Sequence, residues 1–402
     1  MYQTRKGKYI ISKKRRNRTM KNIDGNKFKP VKYYKDLMKD FNNVPKDDKH
    51  IFIFCASGFG NKVFYLIIAL YLYNLYKGRV QINFMTNKSK LHDKEDETPL
   101  YKIFPKSMKK INYYFILPRE FVFFTQKYNI KKLDDVMNVD EFYELNELPT
   151  YDQLPKFVSI PHIYNLAYKM YASFNNEDKS IFNISPNLIT DKNILNIARS
   201  NYSLFQVRYS DKLHLAQELI DTRSFDYFLI YTPEYYIEKI NEILKKKPNE
   251  KIIIISDTIE VVNEFIVKNN FENNKNVQVL DTNWLNAFYL FYYANNIVMS
   301  RSTYGMSGAY FNKKNAEVNL VMFHSKNKNI KVPMEEYAIS PKWKISYDNK
   351  YILNYNPQKL KQITEFCNDI KINRKCNRKN YGIEHKVLMM KQNDYKLQKI
   401  KN

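Results

Sequence analysis

Apolar and polar positions alternate in blocks along the chain, and the first clear block lies at residues 50–86. The run HIFIFC at 50–55 predicts a buried strand, and the apolar stretch 61–76, which ends just before Gly78, predicts a buried helix. Residues 79–86 predict the next strand. A strand, a helix and a strand in this order predict a parallel sheet.

The alternation returns after residue 201 and is more regular there. Continuous apolar runs such as KIIIIS at 251–256 are typical of strands that are covered on both faces. The segment 300–311 is predicted to turn off a strand end, and 317–323 is predicted to be the last strand. The other predicted strands are 202–208, 277–280 and 296–300, and the predicted helices are 232–247, 258–269 and 284–295. These elements predict an open α/β sheet, in which ligands bind at the carboxyl ends of the strands.

Four segments follow from these patterns. We interpret them as a basic tail at 1–45, an N-terminal α/β domain at 46–200, a C-terminal α/β domain at 201–345 and a basic helical extension at 346–402. Residues 87–200 are the least regular part, although 160–174 has a helical pattern.

The net charge of +25 over 402 residues is concentrated at the two ends of the chain. Terminal basic runs are typical of solvated tails, and contact with nucleic acid or an anionic surface is the alternative. The three cysteines form neither a disulfide framework nor a metal-binding spacing, which favours a reducing compartment. The longest apolar stretch, 63–76, is too short to span a bilayer, and no signal-peptide pattern begins the sequence. We therefore expect a soluble cytoplasmic protein without a transmembrane segment.

Three polar segments follow predicted strands in the second block. They are QVRYSD at 206–211, ISDT at 255–258 and MSRSTYGMSG at 299–308. Taken singly, each has an ordinary structural explanation, namely a surface ion pair, a helix cap at Ser256 or Asp257, and turn chemistry. Taken together at one edge of a sheet, they predict a binding site for a nucleotide diphosphate.

Each predicted residue has a chemical role in this hypothesis. Arg208 would present its guanidinium group to the diphosphate, and Ser302 and Thr303 would hold phosphate oxygens at a helix start. Asp257 would accept hydrogen bonds from a base or a ribose, and Asp211 would orient Arg208 or a hydroxyl group. No Asp-x-Asp motif follows a predicted strand, so no metal ion is expected.

Two glycines mark the turn between the first predicted strand and its helix. The chain has only eight glycines, and Gly58 and Gly60 both lie in SGFGNKVFY at 57–65. Such a turn lets backbone N–H groups approach an anion at a helix N-terminus, and it also suits a tight strand-to-helix connection. The pattern alone leaves both explanations open.

The order of these motifs resembles that of the fucosyltransferases of the α1,2/α1,6/protein-O group, most closely the bacterial-type α1,2-fucosyltransferases. SGFGNKVFY is similar to their GGLGNQ(L/M)FQ loop, QVRYSD to their HxRRxD segment, and SRSTYGMSGA to their SNSTFSWWGA segment. The passage 235–262 is similar to their helix, strand, SDD and helix. The resemblance covers about residues 50–325.

This resemblance implies a GT-B-like fold of two Rossmann-like domains with a cleft between them. It implies GDP-fucose as the donor and inverting transfer to a glycan or protein hydroxyl, without a metal ion or other cofactor. It places Gly58, Gly60 and Asn61 on the cleft, with Asn61 facing the donor or the acceptor, and Ser256 beside Asp257 in the donor site. Composition and basic ends also resemble proteins of large DNA viruses, which would locate the protein in host cytoplasm or a virion.

Several positions depart from the family pattern. They are Gln206 for a histidine, Tyr209 for the second arginine, Met306 and Ser307 for two tryptophans, and Asn286 or Ala287 for an acidic residue. Three interpretations therefore stay open: an active glycosyltransferase, a degenerate transferase fold that binds a nucleotide sugar or glycan without turnover, and a basic nucleic-acid-associated protein. The pattern does not identify the general base, for which His162 and His214 are candidates by residue type alone.

Overall fold

The structure is a computed structural model. It describes residues 32–42, 44–45, 47–55, 58–86, 100–133, 144–160, 166–209, 213, 230–322, 339–353 and 356–370.

An N-terminal sheet of six parallel strands forms the first half of the protein. Its strands are β1 (Lys32–Tyr33), β2 (Lys49–Cys55), β3 (Val80–Thr86), β4 (Ile111–Phe115), β5 (Lys131–Lys132) and β6 (Phe157–Ser159). They lie in the order β1-β4-β3-β2-β6-β5. The two predicted strands on either side of the glycine turn are therefore confirmed as β2 and β3.

A second sheet of six parallel strands forms the C-terminal half. Its strands are β7 (Tyr202–Val207), β8 (Lys251–Ser256), β9 (Val277–Leu280), β10 (Asn296–Met299), β11 (Glu317–Val321) and β12 (Lys344–Ser346). The strand order is β12-β11-β10-β7-β8-β9. The chain adds β8 and β9 on one side of β7 and then β10, β11 and β12 on the other side, so a topological switch point lies at β7. Open α/β sheets bind ligands at such a switch point, and the predicted class of two parallel α/β sheets is confirmed.

Helices cover both sheets. They are α1 (Tyr34–Phe41), α2 (Phe59–Leu75), α3 (Leu100–Ile103), α4 (Pro118–Lys127), α5 (Ala167–Ser173), α6 (Asn176–Ser180), α7 (Lys192–Ala198), α8 (Pro233–Lys246), α9 (Ile259–Val262), α10 (Trp284–Phe291), α11 (Thr303–Tyr310) and α12 (Pro357–Asp369). Short 3-10 turns lie at Pro105–Lys109, Leu145–Glu147, Pro186–Leu188 and Asn349–Tyr351.

Helix α2 lies at the centre of the molecule. It is apolar on nearly every face, as expected of a helix with neighbours all round, and it joins one core that includes residues of both sheets. It ends at Leu75, and two left-handed residues, Lys77 (φ +53°) and Gly78 (φ +70°), follow its C-cap Tyr76; the Gly78 N–H donates to the Tyr73 carbonyl. Among the described residues, none of the helices has the length and apolarity needed to cross a bilayer.

The basic tail predicted at 1–45 is wrong for residues 32–41. These residues form β1 and α1, and Leu37 and Phe41 are buried in a second apolar cluster on the N-terminal sheet. Lysines surround the helical spacing of Leu37, Met38 and Phe41, so the charge of the segment obscured its apolar stripe. Residues 1–31 lie outside the described part of the chain.

Two predictions in the C-terminal half also need correction, whereas the helix start predicted at Ser302 and Thr303 is confirmed as the beginning of α11. The helix predicted at 258–269 becomes π-helical at Asn263–Val267. The strand at 317–321 is not the last one, because β12 pairs with it at the edge of the sheet. In the predicted extension, α12 buries Leu360 and Ile363, and residues from 371 onward lie outside the description.

Candidate functional site

Sheet register brings the polar ends of three strands together. In the C-terminal sheet, Gln206 is opposite Met299 and Val207 is opposite Ser256. Because these strands are parallel, the residues that follow them lie side by side at the carboxyl edge. Arg208 and Asp257 are two of these residues, as the sequence predicted.

Arg208 and Asp257 form a partly exposed ion pair at this edge. The Arg208 Nε atom lies 3.9 Å from Asp257 Oδ2, and the two side chains are 23% and 24% exposed. Asp257 Oδ1 accepts the backbone N–H of Tyr209 at 3.1 Å and the Thr258 hydroxyl at 3.3 Å. Asp257 therefore helps to position the loop that carries Arg208, and its predicted contact with a base or ribose stays a prediction.

Ser300 fixes the backbone of Arg208 from the other side. Its hydroxyl accepts the Arg208 N–H at 2.9 Å and donates to the Gln206 carbonyl at 3.0 Å. A hydroxyl has one hydrogen to donate, so the Tyr236 hydroxyl, 2.7 Å away, donates to Ser300. Burial raises the pKa of Tyr236, which keeps it a neutral donor. The sequence patterns do not predict this pair of hydroxyl groups.

Ser302 begins helix α11. Its Oγ accepts the Gly305 N–H at 3.1 Å and the Gln206 side-chain amide at 3.0 Å, and the residue is only 3% exposed. The sequence predicts ordinary turn chemistry as the structural explanation for this segment, and the structure shows a helix cap at Ser302 instead. Thr303 is the first residue of the helix and is half-buried, and among the described residues its side chain has no hydrogen-bond partner. Its role toward phosphate stays a prediction.

Internal contacts also occupy Ser256, Tyr209 and Gln206. The Ser256 hydroxyl accepts the Thr258 N–H at 2.9 Å, and the buried Tyr209 donates its hydroxyl to the Tyr231 carbonyl at 3.0 Å. Gln206 is a polar residue in a fully buried strand, and such a residue needs a partner, which Ser302 supplies. That polar position inside an apolar run is the signal that would have identified the contact between β7 and α11.

Helix α2 meets this edge through Gly60. A Cβ atom built on Gly60 would lie 2.2 Å from the Tyr304 backbone N and 2.4 Å from the Thr303 carbonyl C, so the first turns of α2 and α11 touch. The glycine is therefore required by an approach of two helices, an explanation that the sequence analysis did not consider. Gly58 is the N-cap residue of α2. Its contact with an anion stays a prediction.

Two buried amide oxygens lie near this contact. Phe59 packs on Trp284 and Phe288 with ring centroids 4.6 and 4.9 Å apart, which joins the first turns of α2 and α10. Within the described residues, the side-chain oxygens of Asn61 and Asn286 in these turns have no hydrogen-bond partner. Buried acceptors in proteins are nearly always satisfied, so these two oxygens are exceptions within the described part of the chain.

Three further predicted residues lie outside the described part of the chain. They are Asp211, His162 and His214. The basic end segments also lie outside it, and contact with nucleic acid stays a prediction.

Comparisons with known proteins add a loose likeness of fold. No protein-family model and no curated protein matches the sequence. Matching solved structures include Escherichia coli ADP-heptose heptosyltransferase II (11% identity, 74% of this chain and 90% of that chain, TM-score 0.38). A variant of Arabidopsis thaliana FUT1 in complex with GDP matches at 11% identity, over 73% of this chain and 75% of that chain, with a TM-score of 0.39. UDP-GlcNAc 2-epimerase from Methanocaldococcus jannaschii matches at 12% identity, over 79% of this chain and 92% of that chain, with a TM-score of 0.37. A likeness this low does not indicate a function.

Proposed function

We propose that the protein is a glycosyltransferase that binds a nucleotide diphosphate sugar between its two halves and transfers the sugar to a hydroxyl group. One observation carries this proposal. The partly exposed Arg208 lies at the switch point of the C-terminal sheet, and its backbone N–H is held by Ser300, two residues before the N-cap of α11, whose first turn touches the first turn of α2. A guanidinium group and helix N-termini are the groups that proteins use to bind diphosphates.

The finer proposal is that GDP-fucose is the donor and that a glycan or protein supplies the acceptor hydroxyl. It is supported by the resemblance of SGFGNKVFY, QVRYSD and SRSTYGMSGA to the fucosyltransferase motifs. The unsatisfied oxygens of Asn61 and Asn286 would accept hydrogen bonds from hydroxyl or amino groups of the bound substrates.

In the proposed reaction, the acceptor oxygen forms a bond to the anomeric carbon while the bond from that carbon to the diphosphate oxygen breaks. The acceptor proton leaves to a base, and the configuration at the anomeric carbon inverts. Negative charge grows on the diphosphate, and Arg208 would stabilise it. One well-placed donor of this kind contributes about 3–4 kcal/mol to transition-state stabilisation. We propose that this positive charge lets transfer proceed without a metal ion.

Calorimetric titration of GDP, GDP-fucose, UDP and UDP-sugars in the presence of a chelator tests the proposal. We expect GDP to bind the wild type and Arg208→Ala to weaken binding about 100-fold, since hydrogen bonds to a charged group contribute roughly 3 kcal/mol. Arg199→Ala, which removes an exposed arginine of the N-terminal half, is the matched control and should bind GDP normally. A preference for UDP would overturn the donor, and binding of no nucleotide would overturn the transferase proposal.

A degenerate transferase fold is the second candidate. The observation that favours it is the internal use of Gln206 and Tyr209, which stand where the resembling family has a histidine and an arginine. Product analysis distinguishes the two candidates, because an active enzyme releases GDP from GDP-fucose with an acceptor present. Nucleotide binding without GDP release, across a panel of glycan acceptors, would favour the degenerate fold.

A further inference from the structure

A cavity lies at the opposite end of α11 from Thr303. It has a volume of about 280 Å³ and is lined by residues of both halves. The N-terminal half contributes α5, α6 and the segment after α6, and the C-terminal half contributes the ends of α10 and α11. An eight-residue helix is about 12 Å long, so the cavity is separate from the Arg208 site.

The walls of this cavity are aromatic and firmly packed. Phe311 stacks on Phe182 with ring centroids 4.8 Å apart and meets Tyr171 edge-on at 5.1 Å. The Tyr292 hydroxyl donates to the Phe182 carbonyl at 2.5 Å. These contacts therefore join the two halves of the protein at the wall of the cavity.

Two lysines give the cavity a positive charge. Lys179 belongs to α6, and the exposed Lys313 follows α11. Neither ammonium group has a carboxylate within 4.0 Å among the described residues, and each lies over a tyrosine ring instead, 5.9 Å from Tyr171 and 5.8 Å from Tyr292. The described lining contains no acidic residue, while Asn176 and Asn183 add amide groups. Two uncompensated cations in one cavity favour an anionic ligand.

We propose that this cavity binds a single sugar ring that carries a phosphate or sulfate group. The two ammonium groups would hold the oxyanion with charge-assisted hydrogen bonds, and the amides and the Tyr171 ring would contact the sugar. The volume is at the lower limit of small-molecule sites, roughly 300–1,000 Å³, so it accommodates one ring with its charged group. The ligand would be a free sugar phosphate or the terminal residue of a larger glycan. The proposal does not depend on the nucleotide site.

The test uses Lys179→Gln/Lys313→Gln in the full-length chain, with Lys245→Gln/Lys275→Gln as the matched control. The control pair removes the same charge from exposed lysines that do not line the cavity. Calorimetry with a hexose 6-phosphate, inorganic phosphate and the plain hexose is carried out on wild type and on Arg208→Ala. The second protein lacks the side chain that is proposed to bind the nucleotide diphosphate. We expect the hexose phosphate to bind both proteins, and at least about tenfold more weakly after the cavity substitution.

Several outcomes would overturn the proposal. The first is that the hexose phosphate does not bind to Arg208→Ala. The second is that the control pair of substitutions weakens hexose phosphate binding as much as the cavity pair does. The third is that plain hexose or inorganic phosphate binds as tightly as the hexose phosphate. An oligosaccharide with the same terminal phosphohexose identifies the source of the ligand. Tighter binding than the free sugar phosphate supports a glycan terminus, and equal or weaker binding supports a free small molecule. Loss of GDP binding in Arg208→Ala with retained hexose phosphate binding would support both proposals independently.

Discussion

Gly60 of α2 lies against the backbone of Tyr304 in α11, so closely that a methyl group on Gly60 would be 2.2 Å from the Tyr304 nitrogen. Real Cβ atoms do not approach backbone this closely, and backbone cannot move aside as a flexible side chain can. The contact joins the first turns of one helix from each half of the protein. It therefore sets the spacing of the two helix N-termini at the proposed nucleotide site.

Gly60→Ala should separate these two helices. In an exposed helix interior, glycine to alanine gains up to about 1 kcal/mol of stability, whereas overpacking a core costs about 1–3 kcal/mol. We expect the overpacking to dominate, so that the free energy of unfolding falls and GDP binds more weakly. Urea denaturation and calorimetry measure the two effects.

Gly308→Ala is the control for this prediction. Its added methyl would lie 2.6 Å from the Phe291 ring of α10, so the clash falls within the C-terminal half and not on the backbone approach of Gly60 to Tyr304. We expect it to lose stability while GDP affinity stays close to that of the wild type. A Gly60→Ala protein that is as stable as the wild type would contradict the packing argument.

Ser302→Ala and Thr303→Ala should affect different properties, although the two residues are adjacent: the first should lower stability and the second should weaken GDP binding. Ser302→Ala removes the cap of α11 and leaves the buried Gln206 amide without its acceptor, which should cost about 2 kcal/mol of unfolding free energy. Thr303 is half-buried at the helix start, and we expect Thr303→Ala to change stability by less than about 0.5 kcal/mol while weakening GDP binding. Urea denaturation with calorimetry separates the two residues. Ser302→Thr keeps the hydroxyl group and should retain most of the stability. If Ser302→Ala were as stable as the wild type, the cap would not contribute to stability.

Ser300→Ala should cost more stability than Tyr236→Phe. The first substitution leaves two donors without an acceptor, the half-buried Arg208 N–H and the buried Tyr236 hydroxyl, at about 2–3 kcal/mol. The second removes one donor, and Ser300 keeps its other partners, so about 1 kcal/mol is expected. In a double-mutant cycle from urea denaturation, Ser300→Ala should cost less in the Tyr236→Phe background. Strictly additive costs would show that the two hydroxyl groups are not coupled.

Most of the central elements could be predicted from the sequence because their apolar runs are continuous. β8 and α2 are examples, since an element with neighbours on every side is apolar throughout. Elements at the edges carry weaker signals. β5 and β12 have only two and three residues, and lysines conceal the stripe of α1.

Only those residues of the candidate site that directly follow a strand could be predicted from the sequence. Arg208 and Asp257 follow strands that the apolar pattern identifies, so their proximity follows from a parallel sheet. The contact between Gln206 and Ser302 joins residues 96 positions apart, and it depends on the register of β7 and β10. The contact of Gly60 with Tyr304 depends on how the two halves pack, which no local pattern encodes.

His50 should make the protein less stable in mild acid. It lies buried on β2 against Phe41 with ring centroids 4.8 Å apart, and in the described residues its Nε2 atom has no hydrogen-bond partner. Burial lowers the pKa of His50 from 6.5 to about 4; nearby Asp48 opposes this shift and Lys156 adds to it. The folded protein thus holds a neutral histidine, while the unfolded chain binds a proton below about pH 6.5.

The stability contributed by this neutral histidine is fully present above about pH 6.5 and is lost as the pH falls toward 4. The shift corresponds to a loss of about 3 kcal/mol in unfolding free energy across that window. Urea denaturation between pH 4 and pH 8 measures it, with His50→Gln as the matched variant, because glutamine fills the position without titrating. We expect the wild type to lose more stability than His50→Gln over this range. Parallel curves for the two proteins would assign the acid sensitivity to other groups.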